Sequence, residues 1–138
     1  MPMTADQDIA DLLRGAKIIA LVGASDRPER PSYGVMRFLM SQGYRVIPVN
    51  PQLAGQSILG ETVVASLADV KEPIDLVDIF RNSAAAGAVI DEAIAVGARA
   101  VWTQLGVFNE EGVARAEAAG LAAVVNRCPA IEIPRLGL

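Results

Sequence analysis

The sequence predicts an α/β fold: a Rossmann-like, doubly wound parallel sheet with helices on both faces. Three observations carry the prediction. Short aliphatic runs alternate along the chain with longer stretches of helical pattern. Hydrophobic residues make up 52% of the 138 residues and aromatics only 4%, so the core has to be assembled from Ala, Val, Ile and Leu, as suits helices laid on a buried parallel sheet. Glycines stand where helices of that pattern have to end.

Taken in order, residues 6–14 place Ile9, Leu12 and Leu13 at the spacing of a short amphipathic helix, read with residues up to 16 as a lid on the sheet of a single domain spanning 1–138. Residues 17–23 are the first strand, 33–42 a helix capped by Gly43, and 44–49 the second strand. Residues 51–70 are irregular; 57–59 offer a short edge strand and 66–69 a helical turn. Strands follow at 74–80, 100–103 and 122–125, with helices at 84–96 and 110–119 ending on Gly97 and Gly120. Strands separated by helices pair in parallel through right-handed crossovers, and the predicted order is 3-2-1-4-5-6. Ligands of such sheets collect at the carboxyl ends of the strands, beside the point where chain direction reverses.

The formal net charge is −4, which argues against nucleic acid and anionic membrane as partners, since both require a basic surface. The charge is unevenly spread. Residues 14–50 carry Arg14, Lys17, Arg27, Arg30, Arg37 and Arg45 against Asp26 and Glu29, a local excess of +4 suited to a small anion. The single cysteine, Cys128, excludes an intramolecular disulfide, and the absence of histidine removes the commonest metal ligand and acid-base group. No basic leader precedes an apolar stretch and no apolar run reaches the length of a membrane span, so a cytoplasmic location is expected.

Candidate site residues sit at predicted strand ends. The first strand runs into Gly23-Ala24-Ser25, with a helix beginning a few residues later. A glycine there lets backbone amides approach a phosphate, Ser25 adds a hydroxyl, and the helix presents its positive end. The dinucleotide pattern Gly-x-Gly-x-x-Gly is absent, because Ser25 and Pro28 occupy its second and third glycine positions. Where nicotinamide-binding domains place an acid after the second strand, this chain has Val49-Asn50-Pro51. Two readings of Asn50 stay open, a partner for a ribose or adenine edge between apolar walls, or a polar turn closed by proline. The turn 26–34 holds Arg27 and Arg30, with Ser32 placed to cap the helix that carries Tyr33 and Arg37; arginine forks suit phosphate.

Several segments together resemble the small stand-alone CoA-binding proteins: Val22-Gly23-Ala24-Ser25, Arg30-Pro31-Ser32-Tyr33, Val46-Ile47-Pro48-Val49-Asn50-Pro51, Ile58-Leu59-Gly60, Val77-Asp78-Ile79-Phe80-Arg81, Trp102-Thr103-Gln104-Leu105-Gly106 and Asn126-Arg127-Cys128-Pro129. That family is similar to the N-terminal CoA-binding domain of the succinyl-CoA synthetase alpha subunit. The resemblance implies coenzyme A or acyl-CoA as ligand, with Gly23, Ala24 and Ser25 at its phosphates, Asn50 and Pro51 bordering the nucleotide, Phe80 and Arg81 at the next strand end, and Gln104 and Gly106 across the cleft. Asn126 departs from the related pattern, which usually has Asp before Arg-Cys, and so does the tail from Pro134.

Catalysis by the synthetase route is excluded, since that enzyme phosphorylates a histidine of a second domain. Asp75 and Asp78 stand three apart in a predicted strand and therefore face opposite sides rather than forming a carboxylate pair. Cys128 is read either as a buried inert thiol or as a thiolate that exchanges with the CoA disulfide. The expected function is thus a non-catalytic carrier, sensor or regulatory module. The alternatives are a nicotinamide-dependent oxidoreductase and an interaction subunit with a vestigial site. The aliphatic helix pattern serves either a homodimer or partner interface or a monomer core.

Overall fold

The computed structural model describes residues 1–138. Its elements are α1 (Asp6–Gly15), β1 (Ile18–Val22), α2 (Pro31–Ser41), β2 (Arg45–Val49), β3 (Ser57–Ile58), β4 (Glu61–Thr62), a 3₁₀ turn (Leu67–Asp69), β5 (Leu76–Ile79), α3 (Ser83–Ala95), β6 (Ala100–Thr103), α4 (Glu110–Ala118), β7 (Ala122–Val124) and α5 (Pro129–Arg135). Five parallel strands form the sheet in the order β2-β1-β5-β6-β7. Alternation along β1 explains the two layers. Ile19 and Leu21 meet α1, α2 and α5 on one face, while Ala20 and Val22 meet α3 and α4 on the other.

The fold class is the predicted one, and the strand order differs from the prediction. Counting only the five sheet strands, the order is 2-1-3-4-5, with no third strand outside β2. Residues 57–59 do not extend the sheet. Ser57–Ile58 pairs antiparallel with Glu61–Thr62 as a separate hairpin, turning on Leu59 and Gly60, both at positive φ. The backbone pairs with the edge of β2 at Val64 alone, in one parallel bridge to Val49, while Glu61 of the hairpin reaches Arg45 of β2 through its side chain. The physical reason is the broken pattern of 51–70, which supplies no crossover helix to return another strand. The reversal of chain direction therefore falls between β1 and β5.

Residues 129–135 form a helix that no predicted element covers. Pro129 occupies its first turn, where a missing N–H costs nothing, and the second proline, Pro134, lies at its far end. Glu132, 5% exposed, is held by Arg127 and by Arg135, and Arg135 also reaches Asp6 at the start of α1. Trp102 is wholly buried on this face, its indole N–H donating to the Arg127 carbonyl at 2.7 Å.

The small, aliphatic face of α3 is covered within the chain. Gly87 of α3 and Gly112 of α4 bring the two helices close, since a Cβ on Gly112 would lie 3.0 Å from the Ile90 side chain and 3.4 Å from the Gly87 Cα. No helix is long and apolar enough to cross a membrane.

Candidate functional site

β1 ends against β5 so tightly that residue 23 has to be glycine. Gly23 has φ +90°, and a Cβ there would stand 2.2 Å from the Phe80 carbonyl oxygen. The Gly23 amide is not presented outward; it donates to the Val49 carbonyl at 3.0 Å, and the Ala24 amide points to the same oxygen at 3.4 Å. Among the residues 23–27 that line the cleft, the amides without an acceptor inside the protein belong to Ser25 and Asp26. The Ser25 hydroxyl oxygen accepts from the Arg27 N–H at 3.1 Å, which bends the loop and leaves the hydroxyl proton free to donate outward.

The start of α2 also differs from the reading of the sequence. Arg30, not Ser32, is the cap, because Pro31 with its preset φ and missing N–H takes the first helical position. Ser32 is carried into the first turn, where it is 4% exposed, lines the cleft and has no hydrogen-bond partner for its hydroxyl within the protein. Its backbone amide also lacks an internal acceptor, at the positive end of an 11-residue helix.

Asn50 lines both depressions and also shapes the turn. Its Nδ2 donates to the Ala24 carbonyl at 2.8 Å and its Oδ1 accepts from the Gln52 amide at 2.9 Å. The side chain therefore ties the end of β2 to the loop after β1. One N–H and one oxygen lone pair of the amide remain without a partner inside the protein.

Two depressions meet at these strand ends. The first, about 430 Å³, is lined by the loop 23–27 with Arg30, Pro31, Ser32, Asn50, Gln52, Leu53 and Phe80. The second, about 350 Å³, is lined by Val22, Gly23, Val49, Asn50, Pro51, Gln52, Phe80 and Arg81. They share Gly23, Asn50, Gln52 and Phe80, so a single extended molecule can lie across both. Six of the ten arginines, Arg14, Arg45, Arg99, Arg115, Arg127 and Arg135, pair with a carboxylate. The four without one are Arg27, Arg30, Arg37 and Arg81. Arg27 and Arg30 line the first depression and Arg81 the second. One acid, Asp26, is exposed on the rim of the first. Free amides, hydroxyls and unpaired guanidiniums fit the phosphates of a nucleotide.

Of the residues singled out from the sequence, Gly23, Ala24, Ser25, Arg27, Ser32, Val49, Asn50, Pro51, Phe80 and Arg81 line one or both depressions. Tyr33 packs half-buried against the core and Arg37 is exposed one turn further along α2; neither lines the cleft. Gln104 and Gly106 sit at the end of β6, outside both depressions. Gly106 donates to the side chain of Asn126 at 2.8 Å, which explains the use of residue 126 as a link between β6 and β7; Asn126 has φ +60°, a conformation that asparagine tolerates. Val22, Asp26, Arg30, Pro31, Gln52 and Leu53 complete the lining. Arg30 was legible as the second arginine of its turn, whereas nothing in the irregular run after Pro51 marks Gln52 or Leu53.

The remaining titratable groups lie outside the cleft. Asp75 precedes β5 and caps the sheet's opposite end, accepting from the Lys17 and Ile18 amides at 2.9 and 3.0 Å. Asp78 is wholly buried within β5, and burial pushes its carboxyl well above the ordinary range. With the Gln104 amide turned so that its nitrogen faces the carboxyl, they meet at 2.8 Å. Cys128 is 7% exposed, and Arg127 is committed to Glu132 at 2.7 Å.

A Rossmann-like sheet with a phosphate-fitting cleft at its switch point defines the class of this molecule. Residues 17–134 match the CoA binding domain family, and the chain belongs to that family. It is 36% identical over 121 residues to the uncharacterized protein YneT of Bacillus subtilis, covering 88% of each chain. It is also similar to a Thermus thermophilus protein of solved structure, at 41% identity and a TM-score of 0.92, over 96% of this chain and 99% of that one. A dinucleotide-forming acetyl-coenzyme A synthetase from Ca. Korarchaeum cryptofilum is 28% identical with a TM-score of 0.68; 78% of this chain corresponds to 25% of that enzyme.

Proposed function

We propose that this protein binds coenzyme A or an acyl-CoA in the cytoplasm, as a carrier, sensor or regulatory module without a reaction of its own. The observation that carries the reading is the first depression, lined by Ser32 with its unpartnered hydroxyl, by Ser25 and Asp26 with their free amides, and by two unpaired arginines. Those groups suit a diphosphate, and membership of the CoA binding domain family supplies the nucleotide. Ser25 and Ser32 donate hydroxyl protons, Arg27 and Arg30 neutralise charge, and Val49, Pro51 and Phe80 wall the adjoining nucleoside.

A nicotinamide-dependent oxidoreductase finds less support. The position of the ribose-binding acid is taken by Asn50, whose amide is engaged with Ala24 and Gln52. The cleft is lined by no side chain suited to proton transfer near neutral pH, its one acid being the exposed Asp26. Titration calorimetry of ligand-stripped protein with CoA, acetyl-CoA, NAD and NADP separates the readings. Binding of CoA or acetyl-CoA without binding of either dinucleotide is the expected result. NAD or NADP binding in the absence of CoA binding overturns it.

A further inference from the structure

Arg81 is the one cation of the second depression, and its position asks for an anion that the diphosphate site does not supply. The side chain is exposed, pairs with no carboxylate, and stands at the end of β5 just before the cap of α3, Asn82. Val22, Val49, Pro51 and Phe80 contribute the apolar part of the depression's lining, against which the flat face of a base can rest. The first depression, across the shared Gly23, Asn50 and Phe80, has its own arginines and its own amide and hydroxyl donors. A nucleotide whose diphosphate fills the first depression thus has its nucleoside over the second, where only a further negative group on the ribose gives Arg81 a partner.

We infer that Arg81 selects for a ribose 3′-phosphate and so distinguishes coenzyme A from its 3′-dephosphorylated form. The inference rests on the proposed CoA reading and deepens it, since CoA carries two separate phosphate groups and the protein offers two separate sets of cations. Arginine suits this place better than lysine. Its planar fork meets two phosphate oxygens at once and stays charged at every accessible pH.

The test is calorimetry of the full chain with CoA and with 3′-dephospho-CoA, for wild type, Arg81→Gln and Arg81→Lys. Wild type is expected to prefer CoA at least tenfold, Arg81→Gln to bring the two ligands within about twofold of one another, and Arg81→Lys to fall between, as charge-assisted hydrogen bonds of this kind imply. The exposed side chain makes no hydrogen bond or ion pair within the protein, so the variants are expected to fold, and matching melting curves check that. Equal affinity of wild type for the two ligands overturns the inference while leaving CoA binding intact. So does an Arg81→Gln variant that keeps the preference or weakens both ligands in parallel. Failure of either ligand to bind wild type overturns the CoA reading and this inference together.

Discussion

The side-chain amide of Asn50 donates to the backbone carbonyl of Ala24 at 2.8 Å, fastening the loop after β1 to the turn after β2. Ala24 is 2% exposed, so its carbonyl depends on that donor within the folded chain. Asn50→Ala is expected to lose about 1–3 kcal/mol of stability, the cost of leaving a buried carbonyl unpaired. Asn50→Asp should lose a similar amount and bind CoA more weakly still, because it adds a negative charge to the cleft. Urea unfolding together with calorimetry reads both, and a variant as stable as wild type removes the link from the account.

Gly23 and Phe80 set a harder steric limit. Gly23→Ala places a methyl group 2.2 Å from a backbone oxygen and forces a non-glycine residue to φ +90°. The expected loss is on the order of 2–4 kcal/mol, combining left-handed strain with overpacking. Thermal unfolding in the absence of ligand checks this directly, because the clash exists whether or not anything is bound.

Ser25 and Ser32 are expected to matter for ligand rather than for folding. Ser25→Asp sets a like charge against the phosphates and should weaken CoA binding at least tenfold, about 1.4 kcal/mol. Ser32→Ala removes a hydroxyl with no internal partner, so it should weaken CoA binding while leaving the unfolding midpoint close to wild type. Unchanged CoA affinity in both variants would place the phosphates elsewhere.

Asp78 makes stability depend on pH in the unusual direction for a carboxylate. Burial raises its folded-state pKa, so the stability it contributes is fully present below its unfolded value of 3.8 and is lost as pH rises through the folded value. Asp78→Asn cannot ionise and can still meet the Gln104 amide. The variant should therefore gain on wild type as pH increases from about 4 to 8, measured by denaturant unfolding at each pH. Parallel curves for the two proteins contradict a protonated carboxyl in the sheet.

Glu132 works in the opposite sense. Hydrogen bonds from Arg135 and Arg127 hold its carboxyl below the ordinary range, and Arg135 does the same for Asp6. Their contribution is present above the unfolded values and is lost as pH falls through the folded ones. Glu132→Gln should therefore be less stable at neutral pH and show a shallower acid limb, seen as a smaller change in melting temperature from about pH 6 to pH 3. An acid limb as steep as wild type contradicts the role given to this ion network.

The two faces of the sheet were legible because strand periodicity is local. Ile19 and Leu21 against Ala20 and Val22 can be sorted by alternation alone, and Gly43, Gly97 and Gly120 take the positive φ that their capping positions require. The strand order was not legible, because it depends on whether residues 51–70 return a further strand, and that is decided by long-range pairing. α5 escaped notice for a related reason. Its prolines are helix breakers in general, yet one sits where a helix begins and the other near where it ends, and the Arg135–Asp6 ion pair that supports it reaches a distant α1.

Composition and spacing alone thus decide the α/β class, the positions of the five sheet strands and the importance of the turn at Gly23-Ala24-Ser25. The tertiary structure assigns that turn its chemistry. It turns the Gly23 amide inward to Val49, commits Asn50 to holding the loop, and leaves the amides of Ser25 and Asp26 and the hydroxyl of Ser32 free at the cleft. Backbone geometry within a strand is set by neighbours in sequence. Which donors remain unspent is set by how β1, β2 and β5 end beside one another, and that proximity exists only in the folded chain.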